Sequence, residues 1–208
     1  MRYLMAALVV AGVYLVASRP IRVLAQGSPV QTMKGGILDE AKLYSAKLPD
    51  TKVVVIYPFS ATDADITEGD KKDETKKLQS SGPGVLNDEF VTRLKKMGPF
   101  TDVSVLAAGA TPPADAIVVE GKFTEMDPGS RAKRAFVGYG AGKSGVKVQG
   151  SIKTGDGKLL ATFEQRRVGV MGGLAGGDSL GKLVADTTAI GEDLAKFLNA
   201  WATGKKLK

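Results

Sequence analysis

The side chains best equipped for chemistry gather around Gly138-Tyr139-Gly140-Ala141-Gly142-Lys143-Ser144. Glycines ahead of a Lys-Ser pair suggest a loop whose backbone N–H groups cradle a phosphate. The spacing argues against the nucleotide form of that loop. It needs four residues between its first Gly and the Gly before Lys, whereas three separate Gly138 from Gly142, and position 137 is Val. The residues after Ser144 also alternate with period two, as a strand does, where the motif should open a helix. What remains is charge. Between 129 and 167 stand Arg131, Lys133, Arg134, Lys143, Lys147, Lys153, Lys158, Arg166 and Arg167, against only Asp156 and Glu164. Thirteen of the chain's 26 glycines fall between 129 and 177, so the basic stretch is also the glycine-rich one. Two roles are open for it. One is a connection between strands, where Gly permits tight backbone approach. The other is a basic surface that grips a phosphate or carboxylate partner. For the second, the candidate residues are Arg131, Lys133, Arg134, Gly138, Gly140, Gly142 and Lys143, with Arg166 and Arg167 closing the window.

Carboxylates offer the other chemistry. Glu120, Glu125 and Asp127 lie close together on or after one strand. Strict alternation puts Glu120 and Glu125 on opposite faces, and hydrolysis needs facing carboxylates from separate elements. The chain has no His and no Cys. That excludes a disulfide framework, a zinc finger, a catalytic thiol, an imidazole base and a His-ligated metal. No cofactor and no metal are expected.

The elements that position these residues follow from hydrophobic period. Residues 51–59, TKVVVIYPF, form a strand buried on both faces. Residues 60–84 are polar and read as a solvated connection closing on Gly82-Pro83-Gly84. Leu86, Phe90, Leu94 and Met97 then share one face of a helix over 85–97, stopped by Gly98-Pro99. Residues 101–106 form a short strand, with Val103 and Val105 on one face. Over 115–126, Ile117, Val119 and Phe123 point one way, and Glu120, Lys122 and Thr124 the other. Residues 146–153 alternate strictly, turn at Thr154-Gly155-Asp156-Gly157, and return over 159–166. Leu180, Leu183, Thr187, Ile190, Leu194, Phe197 and Trp201 mark a helix over 179–201 that docks on the sheet. Residues 26–50 are a lead-in with one short helix, since Ile37, Leu38, Ala41 and Tyr44 recur at helical spacing. The tail GKKLK is solvated. The fold class expected is α+β, a mostly antiparallel sheet of about five strands with both helices on one face. The single domain spans 51–201, with 202–208 as a basic tail.

The start of the chain carries a destination. Residues 3–17 are apolar and uncharged, after Arg2 and before a Val-Leu-Ala triplet. This is the pattern of a signal peptide over 1–25, cut between Ala25 and Gln26. Fifteen residues rise about 22 Å as a helix, short of a ~30 Å hydrocarbon core, which disfavours a retained inner-membrane anchor. Without Cys, no lipid anchor is expected. The cut removes three Arg, taking the net charge from +7 to +4. The processed chain is expected in the periplasm or outside the cell.

Residues 116–143, AIVVEGKFTEMDPGSRAKRAFVGYGAGK, are followed by alternating strands, TGDGKLLATFEQRR, MGGLAGGD and a helix ending GEDLAKFL. Together these resemble the bacterial domain-of-unknown-function family numbered 4410, over roughly 51–201. The resemblance implies an exported bacterial protein and supplies no catalytic residues. Some members look like lipoproteins, from which the absence of Cys departs. VVVIYPF with the amphipathic helix after it also resembles, over a short length, the first unit of curli-secretion and Tol-type periplasmic modules. The function expected is a non-enzymatic envelope accessory or binding module for an anionic envelope component or another protein. A carboxylate-based envelope enzyme and a basic nucleic-acid-binding protein are the alternatives. Nucleic acid is disfavoured because only Phe136 and Tyr139 could stack beside the cations. Nucleotide is disfavoured by the loop spacing.

Overall fold

The computed structural model describes residues 27–66, 72–127, 145–168 and 179–207. Its elements are β1 (Gln31–Lys34), β2 (Glu40–Leu43), β3 (Val53–Ile56), β4 (Asp65–Ile66), α1 (Lys72–Met97), β5 (Asp102–Val105), β6 (Ile117–Asp127), β7 (Gly145–Thr154), β8 (Leu159–Val168) and α2 (Ser179–Ala202). The antiparallel centre is β6-β7-β8, where alternation in sequence becomes alternation of face. Val146, Val148 and Ile152 are buried, while Lys147, Gln149, Ser151 and Lys153 stand on the other side. Gly157, at φ 91°, supplies the left-handed residue of the β7–β8 turn.

The sheet is larger and more mixed than its sequence suggests. Eight strands join it, in the order β1-β2-β8-β7-β6-β3-β5, with β4 beside the far end of β6. β3 pairs in parallel with both β5 and β6, and β4 is parallel to β6. The expected five-stranded, mostly antiparallel sheet is corrected on both points. The β3–β5 pairing follows from α1, because a helical crossover between neighbouring strands returns the chain in the same direction. The extra strands come from the lead-in and from 65–66.

In the lead-in, the expected short helix is a hairpin. β1 and β2 pair antiparallel with Met33 opposite Ala41, and β2 pairs with β8 with Ala41 opposite Phe163. Met33, Ala41 and Leu43 are buried, a period of two that the scattered apolar residues of 37–44 also permit. The turn is closed by the Gly35 N–H on the Asp39 carbonyl at 2.9 Å.

The polar connection expected over 60–84 is in part helix. α1 begins at Lys72 and passes through Gly82-Pro83-Gly84. Thr75, Leu78 and Gly82 are buried along the first half, in line with Leu86, Phe90 and Leu94 in the second. Burial of that face outweighs the propensity cost of two glycines and a proline. Both helices cover one face of the sheet. Their core includes Phe59, Phe90, Phe123, Leu183, Ile190 and Phe197. Val55, Ala116 and Val118 form a smaller cluster on the opposite face, so β3 is buried from both sides. The tail is not wholly solvated. Leu207 packs on the main core, and its carbonyl accepts the Ile37 N–H at 3.3 Å. No helix among the described residues is long and apolar enough to cross a membrane.

Candidate functional site

Register aligns three strand ends. Asp127 lies opposite Gly145, and Gly145 opposite Val168, so residues 128–144 begin and end at one end of the sheet. Arg131, Lys133, Arg134, Gly138, Gly140, Gly142 and Lys143 lie outside the described residues, as do Ala25 and Gln26. Arg166 and Arg167 are described, and alternation sends them to opposite faces of β8.

Arg166 reaches across the outer face to Glu125. Its Nε donates to Oε2 at 3.0 Å and its Nη2 to Oε1 at 2.6 Å, a two-point fork. The Glu125 hydrogen bond raises the guanidinium pKa further. This pair corrects the expected faces of the carboxylates. A register shift between Phe123 and Glu125 inserts one unpaired residue in β6. Parity then inverts, Glu125 sits opposite Lys147 on the same face as Glu120, and Met126 turns into the core.

The outer face is a ladder of matched charges. Lys147 binds Glu164 at 2.8 Å, and Gln149 donates to the same carboxylate at 2.7 Å. The Lys147 hydrogen bond is the main reason Glu164 is held below the usual carboxylate range. Glu120 accepts from Lys153 and from Ser151, the latter at 3.0 Å. Glu120, Glu125 and Glu164 each act here as acceptors to neighbouring donors. A hydrolytic pair needs one member that holds its proton near neutrality.

Arg167 faces inward, toward α2. Its Nε donates to Asp193 Oδ2 at 2.9 Å, its Nη2 donates to the same oxygen, and Gln165 Nε2 adds a third donor at 2.8 Å. Gln165 Oε1 in turn accepts the Asp39 N–H at 2.8 Å, and Asp39 Oδ2 accepts the Arg166 N–H at 2.7 Å. One network thus ties the β1–β2 turn, β8 and α2 together. Two helical turns before Asp193, Asp186 holds a buried Oδ2 without a hydrogen-bond partner among the described residues. Burial raises its pKa, against the opposing pull of Arg167 and Lys182.

The opposite end of the sheet holds a groove of about 950 Å³. The starts of β3 and β6 and the end of β2 lie at this end, because β2 is antiparallel to β8. The groove runs between residues 46–52, Pro99-Phe100 and the tail after Trp201. Four lysines line it, Lys47, Lys52, Lys205 and Lys206, against one acid, Asp50. Sequence reasoning missed it. Its walls are scattered over the chain, and Lys205-Lys206 reads locally as a solvated tail.

A family model described as a domain of unknown function, DUF4410, matches residues 54–173. The chain belongs to the DUF4410 family. In this DUF4410 chain the matched residues span β3 to β8 and carry the outer charge ladder. Asp39 and Asp193, which complete the Arg166 and Arg167 contacts, lie outside them, as does most of the groove. No curated protein matches the chain. Among solved structures, it is similar to two PelC dodecamers from Paraburkholderia phytofirmans, one of them a single-substitution variant. The variant is 14% identical and the other 12%, each with a TM-score of 0.40, covering 79% of this chain and 94% of that one. A likeness of that size carries no mechanism or partner across to the DUF4410 chain.

Proposed function

We propose that the chain is an exported, non-enzymatic binding module of the bacterial envelope, and that residues 131–143 engage an anionic partner. The observation that carries this reading is how the charges of the basic window divide. Lys147, Lys153, Arg166 and Arg167 are each matched by a carboxylate, from Glu164, Glu120, Glu125 and Asp193. Those cations serve the framework. The stretch 128–144 contains Arg131, Lys133, Arg134 and Lys143 and no acidic residue. Apart from Lys158 in the exposed β7–β8 turn, these are the cations of the window that the four described pairs leave over, and their charge is what an outside anion would meet. The partner class is an anionic envelope component or an acidic protein surface. Export rests on the uncharged apolar run 3–17 and the Val-Leu-Ala triplet before the cut at Ala25 and Gln26.

The test is capture from envelope extract at graded salt. The parent chain is compared with Arg131→Glu, Lys133→Glu and Arg134→Glu combined, and with a charge-matched control, Lys76→Glu, Lys77→Glu and Lys122→Glu. Circular dichroism checks that all three are folded. The expected result is a salt-sensitive partner retained by parent and control and lost by the first variant. The same capture profile from all three would sink the reading. N-terminal sequencing of the chain recovered from cells tests export, since an uncut Met1 would mean a retained anchor.

A further inference from the structure

The groove at the far end of the sheet combines unmatched cations with apolar walls. None of Lys47, Lys52, Lys205 and Lys206 makes an ion pair among the described residues, in contrast to the cations of the outer ladder. They come from two separate segments, 46–52 and the tail, which meet only here. Below them the surface is apolar. Leu48 and Leu207 are half-buried against the main core, and Met33, Leu43 and Phe100 lie beneath. Trp201 also lines the groove. Its Nε1–H is engaged by the Ala46 carbonyl at 3.4 Å, which leaves ring carbons as its contribution. The site therefore offers cations for a head and hydrocarbon for a body, with a volume in the usual range for small-molecule sites.

We propose that this groove binds an anionic amphiphile, a lipid with a phosphate head and short hydrocarbon chains. The head takes the lysine ammonium groups and the chains lie along Leu48, Leu207 and Trp201. Either half alone is a weak ligand here. Exposed lysines hold an anion loosely in water, and Met33, Leu43, Phe100 and Trp201 leave only 1–6% of their surface open, too little apolar area to hold a neutral hydrocarbon well. The inference stands apart from the proposal for residues 131–143, since the two regions attach to opposite ends of the sheet.

Trp201 is the only tryptophan in the chain, so its fluorescence reports this groove. The purified full-length chain is titrated with dihexanoyl phosphatidic acid below its micelle concentration, with dihexanoyl phosphatidylcholine, and with inorganic phosphate. Phosphatidic acid should give a saturable shift. Phosphatidylcholine and phosphate should each bind about tenfold more weakly or worse. Lys47→Glu, Lys52→Glu, Lys205→Glu and Lys206→Glu combined should weaken phosphatidic acid by about the same factor. Lys76→Glu, Lys77→Glu, Lys122→Glu and Lys158→Glu combined, which matches the charge elsewhere, should not. Equal affinity for the two lipids overturns the role of the cations, and equal affinity for inorganic phosphate overturns the role of the hydrocarbon. No saturable shift, or equal loss in both charge variants, overturns the site. The ligand comparison on the parent chain decides the matter even if a variant does not fold.

Discussion

Three donors from β8 converge on one buried oxygen of Asp193, which makes that residue a strict local requirement. Asp193→Ala strands Gln165 and the Arg167 guanidinium without an acceptor, and urea denaturation should show a loss of about 2–4 kcal/mol. Arg166→Ala removes a two-point fork whose acceptor is more open to water, since the Glu125 side chain is 26% exposed against 7% for Asp193 while the two guanidinium groups are about equally exposed. Its loss should be under about 1 kcal/mol. Similar losses for the two would show that burial is not what separates them. Asp186 gives the opposite sign. Burial raises its folded-state pKa above the unfolded one, so the stability linked to its proton is complete below the unfolded pKa. That stability is lost as pH rises through the folded value. Asp186→Asn should therefore raise Tm at pH 7 by roughly 1–3 °C, with the gain fading below about pH 4. A gain that persists in acid would refer the effect to something other than ionisation.

At the scale of elements, α1 keeps a proline and two glycines because the sheet and α2 hold it in place. Pro83 lacks the N–H that an interior helical residue donates, and Gly84 has open space around it. Pro83→Ala should stabilise the fold by on the order of 1–3 kcal/mol. Gly191→Ala should do the reverse, by about 1–3 kcal/mol, since a β-carbon there would stand 2.8 Å from the Leu86 carbonyl where α1 and α2 touch. Thermal unfolding of both variants checks the pair. The same elements mark what was legible in the sequence. α2 and the second half of α1 carry a continuous apolar stripe, and β7, β8 and the part of β6 before its bulge alternate over most of their length, so period alone identified them. The first half of α1 buries only Thr75, Leu78 and Gly82, too few to stand out among its charges. β1 and β2 are four residues each, and their pairing with β8 is a long-range fact with no local trace. The single inserted residue near Thr124 was equally silent, and it alone moved Glu125 to the face of Glu120. Arg166 and Arg167 were visible as charges, but their carboxylate partners come from β6 and α2. The groove was illegible because its four lysines are brought together only by the closed sheet.

Across the whole molecule, the sheet acts as a spacer between two differently built ends. β7 runs its ten residues from Gly145, beside Asp127 and Val168, to Thr154 at the groove end, a rise of about 30 Å. Between the ends, the outer face is close to electrically balanced, because Glu120, Glu125 and Glu164 answer Lys153, Arg166 and Lys147. Among the described residues, positive charge in excess of its partners is left at the groove, and the sequence of 128–144 adds four cations and no acid. At physiological salt the screening length is about 8 Å, so the field of one end has decayed several-fold before it reaches the other. Sites that far apart without shared partners perturb each other by no more than about 0.5 kcal/mol. Arg131→Glu, Lys133→Glu and Arg134→Glu combined should therefore leave the phosphatidic acid titration of Trp201 within about twofold of the parent. The titration is run at 150 mM and again at 20 mM salt, conditions on the order of one and three times the 8 Å screening length. Independence at both salts would make the chain a two-ended module, able to hold a lipid at one end while an anionic partner occupies the other. A change of tenfold at 150 mM would be too large for a screened field. It would mean that residues 131–134 contact the same ligand as the groove, and that the molecule has one composite site.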